Sequence, residues 1–223
     1  MIYQVHPHIR LIVCDMAGTT VNEGGIVYKT LVNTIKRFGL EIGDNEIKYW
    51  YGVNKTEVLK YFLNRAGEDD IKLPDMLADF KANLKKNYFE DKTIALIHPK
   101  LPELFNTLRK RGIKIALNSG FSVDIQEALI ENLEMRNFID GYISSESVPQ
   151  GRPEPYMIQE LMKKFNIEEP NQVIKLGDSV NDILEGKNAG CFKSIGVLSG
   201  AERKQNLLDA GADMILNSVM DLM

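Results

Sequence analysis

Asp15, Ser119, Arg152 and the pair Asp178 and Asp182 are the residues of this chain whose types and places could do chemistry. Asp15 follows the apolar run Leu11-Ile12-Val13-Cys14, and Asp178 follows Val173-Ile174-Lys175-Leu176-Gly177. Ser119 closes the run Ile113 to Leu117, and Arg152 stands in a loop before a helix. Continuous apolar runs read as buried parallel strands. In open α/β sheets, ligands bind at the carboxyl ends of strands. Acids, a guanidinium and a hydroxyl gathered at that edge suit phosphoryl chemistry. Asp15 can attack phosphorus and form an aspartyl-phosphate. Asp15 and Asp178 can hold Mg²⁺, a hard cation that prefers carboxylate oxygens. Arg152 and the Ser119 hydroxyl can hold phosphoryl oxygens.

The elements that must position these groups follow from hydrophobic spacing. Residues 9–14 read as the first strand, and 16–25 as a loop ending in Gly24-Gly25. Val27, Leu31, Ile35 and Phe38 have helical spacing, stopped by Gly39. A helix over about 54–65 has Asn54 as N-cap. Another over about 74–89 has Pro74 near its start. Residues 21–92 therefore read as all-helical. From there the pattern is β-α-β. A helix at Leu101–Leu108 precedes the strand at 113–117. Ser122 is placed to cap a helix carrying Ile125 and Leu129. Tyr142-Ile143-Ser144 reads as a strand, Pro153 as the opening of a helix, and Ser179–Ala189 as another helix. Strands at 194–198 and 214–216 flank a helix at 204–210. Such alternation predicts an α/β fold with a doubly wound, mostly parallel sheet. The expected domains are a core of residues 1–20 and 93–223 and an inserted helical cap of 21–92.

Composition narrows the class. The chain has 223 residues and a net charge of −4, with no basic run, so nucleic acid is not an expected partner. Two cysteines, Cys14 and Cys191, make no disulfide framework and suit a reducing, cytoplasmic setting. No signal-peptide-like run opens the sequence, and no apolar run is long enough for a membrane. His6, His8 and His98 read as surface imidazoles rather than metal ligands.

Asp15-x-Ala17-Gly18-Thr19, Ser119-Gly120, Arg152-Pro153 and Gly177-Asp178-Ser179-x-x-Asp182 resemble, in this order, the four motifs of the haloacid dehalogenase superfamily. The resemblance implies a Rossmann-like core with a cap, and Mg²⁺ as cofactor. Asp15 would be the nucleophile. Its carboxylate, the Ala17 carbonyl and Asp178 would bind the metal, with Asp182 holding a metal-bound water. Ser119 and Arg152 would bind phosphate. Ala17, Gly18, Thr19, Gly120 and Lys55 complete the expected substrate-binding set.

Ala17 departs from the common phosphatase pattern, which places a second Asp there as general acid. An ordinary ester would lose roughly 10²–10⁴ in rate without it. Asp-x-Ala-Gly-Thr instead resembles the phosphonoacetaldehyde hydrolases (phosphonatases). They cleave a C–P bond through a cap lysine that forms a Schiff base with the aldehyde. Gly52-Val53-Asn54-Lys55 matches their Gly-x-x-Lys. In the first turn of its helix, Lys55 meets the positive end of the dipole, which favours the neutral amine. Lys55, Leu59 and Phe62 share a face, and desolvation there acts in the same direction. Val58, Tyr51 and Phe121 stand where that family has His, Met and Tyr, and its Cys falls near Gly25. The substrate expected is a small phosphonate or phosphorylated metabolite, and the resemblance implies a homodimer through the cap.

Each residue also has a plainer reading. Asp15 can be a turn acid. Asp182 can be the N3 partner of a capping box with Ser179. Ser119-Gly120 can be a simple loop, Arg152 a solvated charge, and Lys55 a surface lysine or a cation for a substrate anion. Tyr49, Trp50 and Tyr51 can pack cap on core. Two other functions stay open: a phosphatase of a small phosphorylated metabolite, and a metabolite-binding sensor without catalysis.

Overall fold

The computed structural model describes residues 2–43, 45–90 and 93–223. Strand β1 (Leu11–Cys14) is buried at all four positions. A two-residue strand, β2 (Val21–Asn22), leads to helices α1 (Ile26–Arg37), α2 (Lys55–Arg65) and α3 (Leu73–Lys85). Strand β3 (Ala95–Leu96) pairs back on β2 antiparallel, with Val21 opposite Leu96. Helix α4 (Leu101–Lys110), strand β4 (Lys114–Ser119), helix α5 (Val123–Asn132) and strand β5 (Gly141–Ser144) follow. The chain then forms α6 (Tyr156–Lys164), β6 (Val173–Gly177), α7 (Val180–Asn188), β7 (Lys193–Val197), α8 (Lys204–Asp209) and β8 (Met214–Leu216).

Six strands make one parallel sheet in the order β5-β4-β1-β6-β7-β8. Successive strand residues face opposite sides. Leu11 and Val13 accordingly pack with Ile158 and Leu161 of α6, while Ile12 and Cys14 join Phe105 of α4 and Leu129 of α5. Burial on both faces explains why β1 reads as an unbroken apolar run. Each such side chain contributes about 1.5–3 kcal/mol when fully buried. From β1 the chain moves outward to β4 and β5, then crosses back to β6 on the other flank. That reversal opens a crevice at the strands' carboxyl ends. Register levels the site there: Cys14 lies opposite both Leu117 and Leu176. The next residues, Asp15, Asn118 and Gly177, therefore emerge side by side.

The apolar residues of the helical segment are continuous with those on one face of the sheet. Leu31 and Ile35, Leu59 and Phe62, and Phe80 and Leu84 bring α1, α2 and α3 together. Asn54 caps α2 as expected, its Oδ1 accepting from Thr56 N–H at 2.8 Å and Glu57 N–H at 3.4 Å.

Several expectations are corrected. Residues 21–92 are not free of strand, because β2 and β3 pair where the chain leaves and re-enters the core. Two-residue strands carry no periodicity, and this pairing comes from the closeness of two chain crossings. The expected end of the cap at residue 92 lies outside the described residues. Pro153 does not open a helix: residues 152–154 form a turn, and α6 begins at Tyr156 after Pro155. Ser122 occupies the N-cap position of α5, but its hydroxyl donates to Asp124 at 2.6 Å instead of accepting from the backbone.

Candidate active site

The loop after β1 is folded tightly on itself. The N–H groups of Thr19, Thr20 and Val21 all donate to the Met16 carbonyl, at 3.2, 2.9 and 2.8 Å. Asp15 N–H donates to Leu176 O at 2.9 Å, which fixes the carboxylate over the seam between β1 and β6. Gly18 has φ +82°, and a Cβ there would lie 2.6 Å from Asp178 Oδ2 and 2.8 Å from Gly200 Cα. Only glycine permits both the backbone shape and this approach.

Around Asp15 lies a cluster of buried charges. Arg152 Nη1 is 2.7 Å from Asp15 Oδ1, and its Nε is 3.0 Å from Glu185 Oε2 and 3.2 Å from Asp182 Oδ1. Arg152 Nη2 donates to Asn118 Oδ1 at 2.6 Å and to the Asn118 carbonyl at 2.9 Å. Lys175 Nζ donates to Asp182 Oδ1 at 2.7 Å and Asn118 Oδ1 at 2.8 Å. Asn118 Nδ2 in turn donates to both oxygens of Glu185. Asp182 also completes the capping box of α7 with Ser179. Its structural reading and its place beside Asp15 therefore hold together.

Asp178 is held separately. Thr19 Oγ1 donates to its Oδ1 at 3.2 Å, and Ala201 N–H to its Oδ2 at 2.7 Å. Thr19, expected in the substrate set, is fully buried and supports this acid. Ser119 Oγ accepts from Phe121 N–H at 3.1 Å, which leaves its hydroxyl proton for another partner.

The helical segment closes the site from above. Lys55 is buried in the first turn of α2, with Nζ donating to Val53 O at 2.6 Å and lying 5.2 Å from the Tyr28 ring centroid. Tyr28 Oη accepts from Gly52 N–H at 2.9 Å. Gly52 O accepts from Arg152 Nη1 at 3.3 Å, Tyr51 O from Asn181 Nδ2 at 2.6 Å, and Ser145 Oγ from Asn54 Nδ2 at 2.9 Å. Asp15, Ala17, Tyr28, Gly52, Lys55, Ser119, Gly120, Phe121, Arg152 and Asp178 line one small pocket of about 10 Å³. That is room for about one water. A larger cavity of about 690 Å³ adjoins it, and Ala17, Tyr28 and Asp178 line both. Of the three aromatics expected to pack cap on core, Tyr51 packs at a tilt against Tyr28, Trp50 packs within the segment on Tyr61 and Phe62, and Tyr49 is exposed.

Electrostatics sort these groups. Burial raises the Asp15 carboxyl to about 6, against Arg152 and with the help of Asp182. Asp178 is pushed well above the usual carboxylate range by burial and then by the charges of Asp15 and Asp182. Burial acts on Asp182 too, but Arg152 and Lys175 outweigh it and hold this acid down. Lys55 falls to about 8, first through burial, with Asp15 opposing and Arg152 adding. Oxygens of Asp15, Asp178 and Asp182 lie within 4.8 Å of one another. In the cluster beneath Lys55, the cations Arg152 and Lys175 face four buried carboxylates, those of Asp15, Asp178, Asp182 and Glu185. Close carboxylate oxygens in charge excess are a donor set that fits a hard divalent cation such as Mg²⁺.

The structure thus brings Asp15, Ala17, Lys55, Ser119, Gly120, Arg152 and Asp178 to one pocket, with Asp182 beneath it. Asn118, Lys175, Glu185 and Tyr28 were not anticipated. Lys175 had a signal, since a charged residue in the middle of an apolar strand needs a buried partner. Glu185 follows Asp182 by three residues and so shares its helix face. Tyr28 looks in sequence like any residue of an amphipathic helix.

Comparisons with known proteins agree with this geometry. A family model of haloacid dehalogenase-like hydrolases matches residues 9–190. The phosphonoacetaldehyde hydrolase of Parabacteroides distasonis is 26% identical, the match covering 95% of this chain and 93% of that protein. A Bacillus cereus phosphonoacetaldehyde hydrolase is 27% identical over 86% of this chain and 77% of its own. Among solved structures, a phosphonoacetaldehyde hydrolase-like protein from Oleispira antarctica superposes with a TM-score of 0.80 at 22% identity, covering 96% of this chain and 89% of that one. A hydrolase from Pseudomonas syringae also gives 0.80, at 18% identity and 95% coverage of each chain. At these identities the two structures speak for the fold.

Proposed function

The chain belongs to the haloacid dehalogenase-like hydrolases, and from that premise we propose that it is a Mg²⁺-dependent, phosphonatase-like enzyme acting through an aspartyl-phosphate at Asp15. The observation that supports this most is the shared pocket of Lys55 and Asp15. A buried lysine with a lowered pKa lines, together with the nucleophile, a pocket about the size of one water. At the position of the usual general acid stands Ala17, which has no proton to give.

In this reading, Asp15 attacks phosphorus while Arg152 and Ser119 hold phosphoryl oxygens. Lys55, as the free amine, condenses with an aldehyde on the fragment that leaves. C–P cleavage then leaves the electron pair in an enamine rather than on an unassisted carbanion. Asp15, Asp178 and the Ala17 carbonyl would hold Mg²⁺, with Asp182 beneath them. The ion, when bound, neutralises charge on the carboxylates and phosphoryl oxygens. The segment of α1, α2 and α3 serves as the cap. The small pocket requires that it lift for entry, and its return excludes water from the aspartyl-phosphate.

Two observations favour a second reading. A lysine with a pKa of about 8 is still mostly ammonium at neutral pH. Val58 and Phe121 are apolar where the phosphonatases have polar groups. A phosphatase of a small phosphorylated metabolite would use Lys55 as a fixed cation. Borohydride trapping decides between them. With phosphonoacetaldehyde present, reduction should inactivate the enzyme and add the mass of the reduced adduct to Lys55. Full turnover of Lys55→Arg on that substrate would sink the Schiff-base reading.

A further inference from the structure

We propose that Tyr28 is a catalytic residue, the hydrogen-bond and proton donor to oxygen on the fragment that leaves phosphorus. The inference rests on the phosphoryl-transfer reading above and deepens it. Ala17 and the apolar Val58 and Phe121 provide no such donor where one is usually found. Tyr28 reaches the place from another element. It belongs to α1, yet its side chain lines the pocket that holds Asp15, Lys55, Ser119 and Arg152.

The hydroxyl is oriented for the task. Oη accepts from Gly52 N–H at 2.9 Å, so the loop just before α2 fixes the oxygen while the phenolic proton remains for another acceptor. The ring is packed against Tyr51, with centroids 4.3 Å apart, and Lys55 Nζ lies 5.2 Å from its own centroid. Burial and the nearby Asp178 keep the phenol protonated. Gly52 also contacts Arg152, so the donor and the phosphoryl-binding cation are assembled through one loop.

The chemistry balances with either kind of substrate. With an alkyl phosphate, the Asp15 oxygen bonds to phosphorus and the P–O bond breaks. The departing oxygen keeps the electron pair and takes the phenol proton. The water that later hydrolyses the aspartyl-phosphate restores it. With phosphonoacetaldehyde, the Lys55 nitrogen adds to the aldehyde carbon and the carbonyl oxygen takes the phenol proton. The phenolate then takes a proton from that nitrogen. A carboxylate leaving group, as in acetyl phosphate, needs no proton and makes the least use of Tyr28.

The test compares Tyr28→Phe with wild type on acetyl phosphate, on phosphonoacetaldehyde and on an alkyl phosphate, each with Mg²⁺. The expected loss in kcat on the better of the last two exceeds the loss on acetyl phosphate by about tenfold or more, as for removal of a donor to a developing charge. Because the comparison is a ratio within one preparation, partial misfolding of the variant cancels. Equal losses on all substrates would mean a packing role and overturn the proposal, as would no loss at all. If the wild type releases phosphate from none of the three, the phosphoryl-transfer reading itself falls, and this inference with it.

Discussion

Arg152 Nη1 lies 2.7 Å from Asp15 Oδ1, so the guanidinium and the candidate nucleophile are directly paired. Arg152 is also fully enclosed, with Glu185, Asp182 and Asn118 around its other nitrogens. A long cationic side chain held from three sides has little freedom left. Its aim at Asp15 is set by these three neighbours.

Glu185 is the clearest of these positioning residues. It binds Arg152 Nε at 3.0 Å and takes both bonds from Asn118 Nδ2. Glu185→Gln keeps the shape but removes the charge and turns one acceptor into a donor. Phosphate release should fall by about 10²-fold, the usual consequence of a misaligned catalytic group. Glu185→Asp should recover part of it. A variant with full turnover and an unchanged pH profile would show that Arg152 needs no such support.

The lowered pKa of Lys55 has a sign that separates the two readings of its role. An amine nucleophile works only when deprotonated. Adduct formation should therefore rise with pH through about 8 and level off above it. Below that point each pH unit should cost about tenfold. Initial rates of borohydride-trapped adduct across this range are the measurement. A cation that binds a substrate anion works the other way, and activity would fall as pH rises through the same value. A bound Mg²⁺ would screen Asp15, whose charge now raises Lys55, and would shift the midpoint lower.

Crowded carboxylates predict how Mg²⁺ and protons compete. Asp15 titrates near 6, and Asp178 is held above the usual range by burial and its two acidic neighbours. Both must be ionised to bind a hard cation, so Mg²⁺ affinity should rise with pH through this region and binding should release protons. At about 100 times Kd the ion should stabilise the fold by roughly 2.7 kcal/mol. Thermal melts with and without Mg²⁺ at acidic and neutral pH would show it, the shift being larger at neutral pH. Asp178→Asn should remove the dependence. A shift that survives in this variant would place the ion elsewhere.

Much of this site was legible because the sequence marks strand ends well. The apolar runs before Asp15, Ser119 and Asp178 are buried on both faces, and such runs look alike in any parallel sheet. The two acids and the hydroxyl at their ends could be read as one edge. The neck formed by Val21–Asn22 and Ala95–Leu96 was not legible, since its pairing exists only once the helices between them have folded. The bond from the Thr19 hydroxyl to Asp178 was not legible for a related reason, since its partner lies far away in the sequence. Tyr28 shows the deeper limit. Its place depends on how α1 lies against the loop at Gly52, a tertiary fact with no local signature.

That same loop offers a way to separate docking from folding. Gly120 sits under it, and a Cβ there would lie 2.7 Å from Val53 O and 2.8 Å from Gly52 O. These are backbone atoms and cannot move aside as a flexible side chain could. Gly120→Ala should hold the helical segment away from the core while leaving α1, α2 and α3 packed on one another, because Leu31, Phe62 and Phe80 join these three helices. The hydrogen bonds of Arg152, Asn181 and Asn54 across the boundary would break. Turnover should drop by about 10²-fold as Lys55 moves off its place by an ångström or more. Hydrogen exchange at Gly52 N–H, bonded to Tyr28 inside the segment, should stay slow, which marks a loss of docking rather than of folding. The cross-boundary pairs of Lys85 and Lys81 with Asp124, at 2.8 and 3.2 Å, would still tether the far side. Exposed pairs of this kind give at most about 1 kcal/mol each and weaken in salt. Added salt should therefore deepen the defect of Gly120→Ala more than it affects the wild type. Wild-type turnover in the variant, at low and at high salt, would show that the segment need not seat on Gly120 for the site to work.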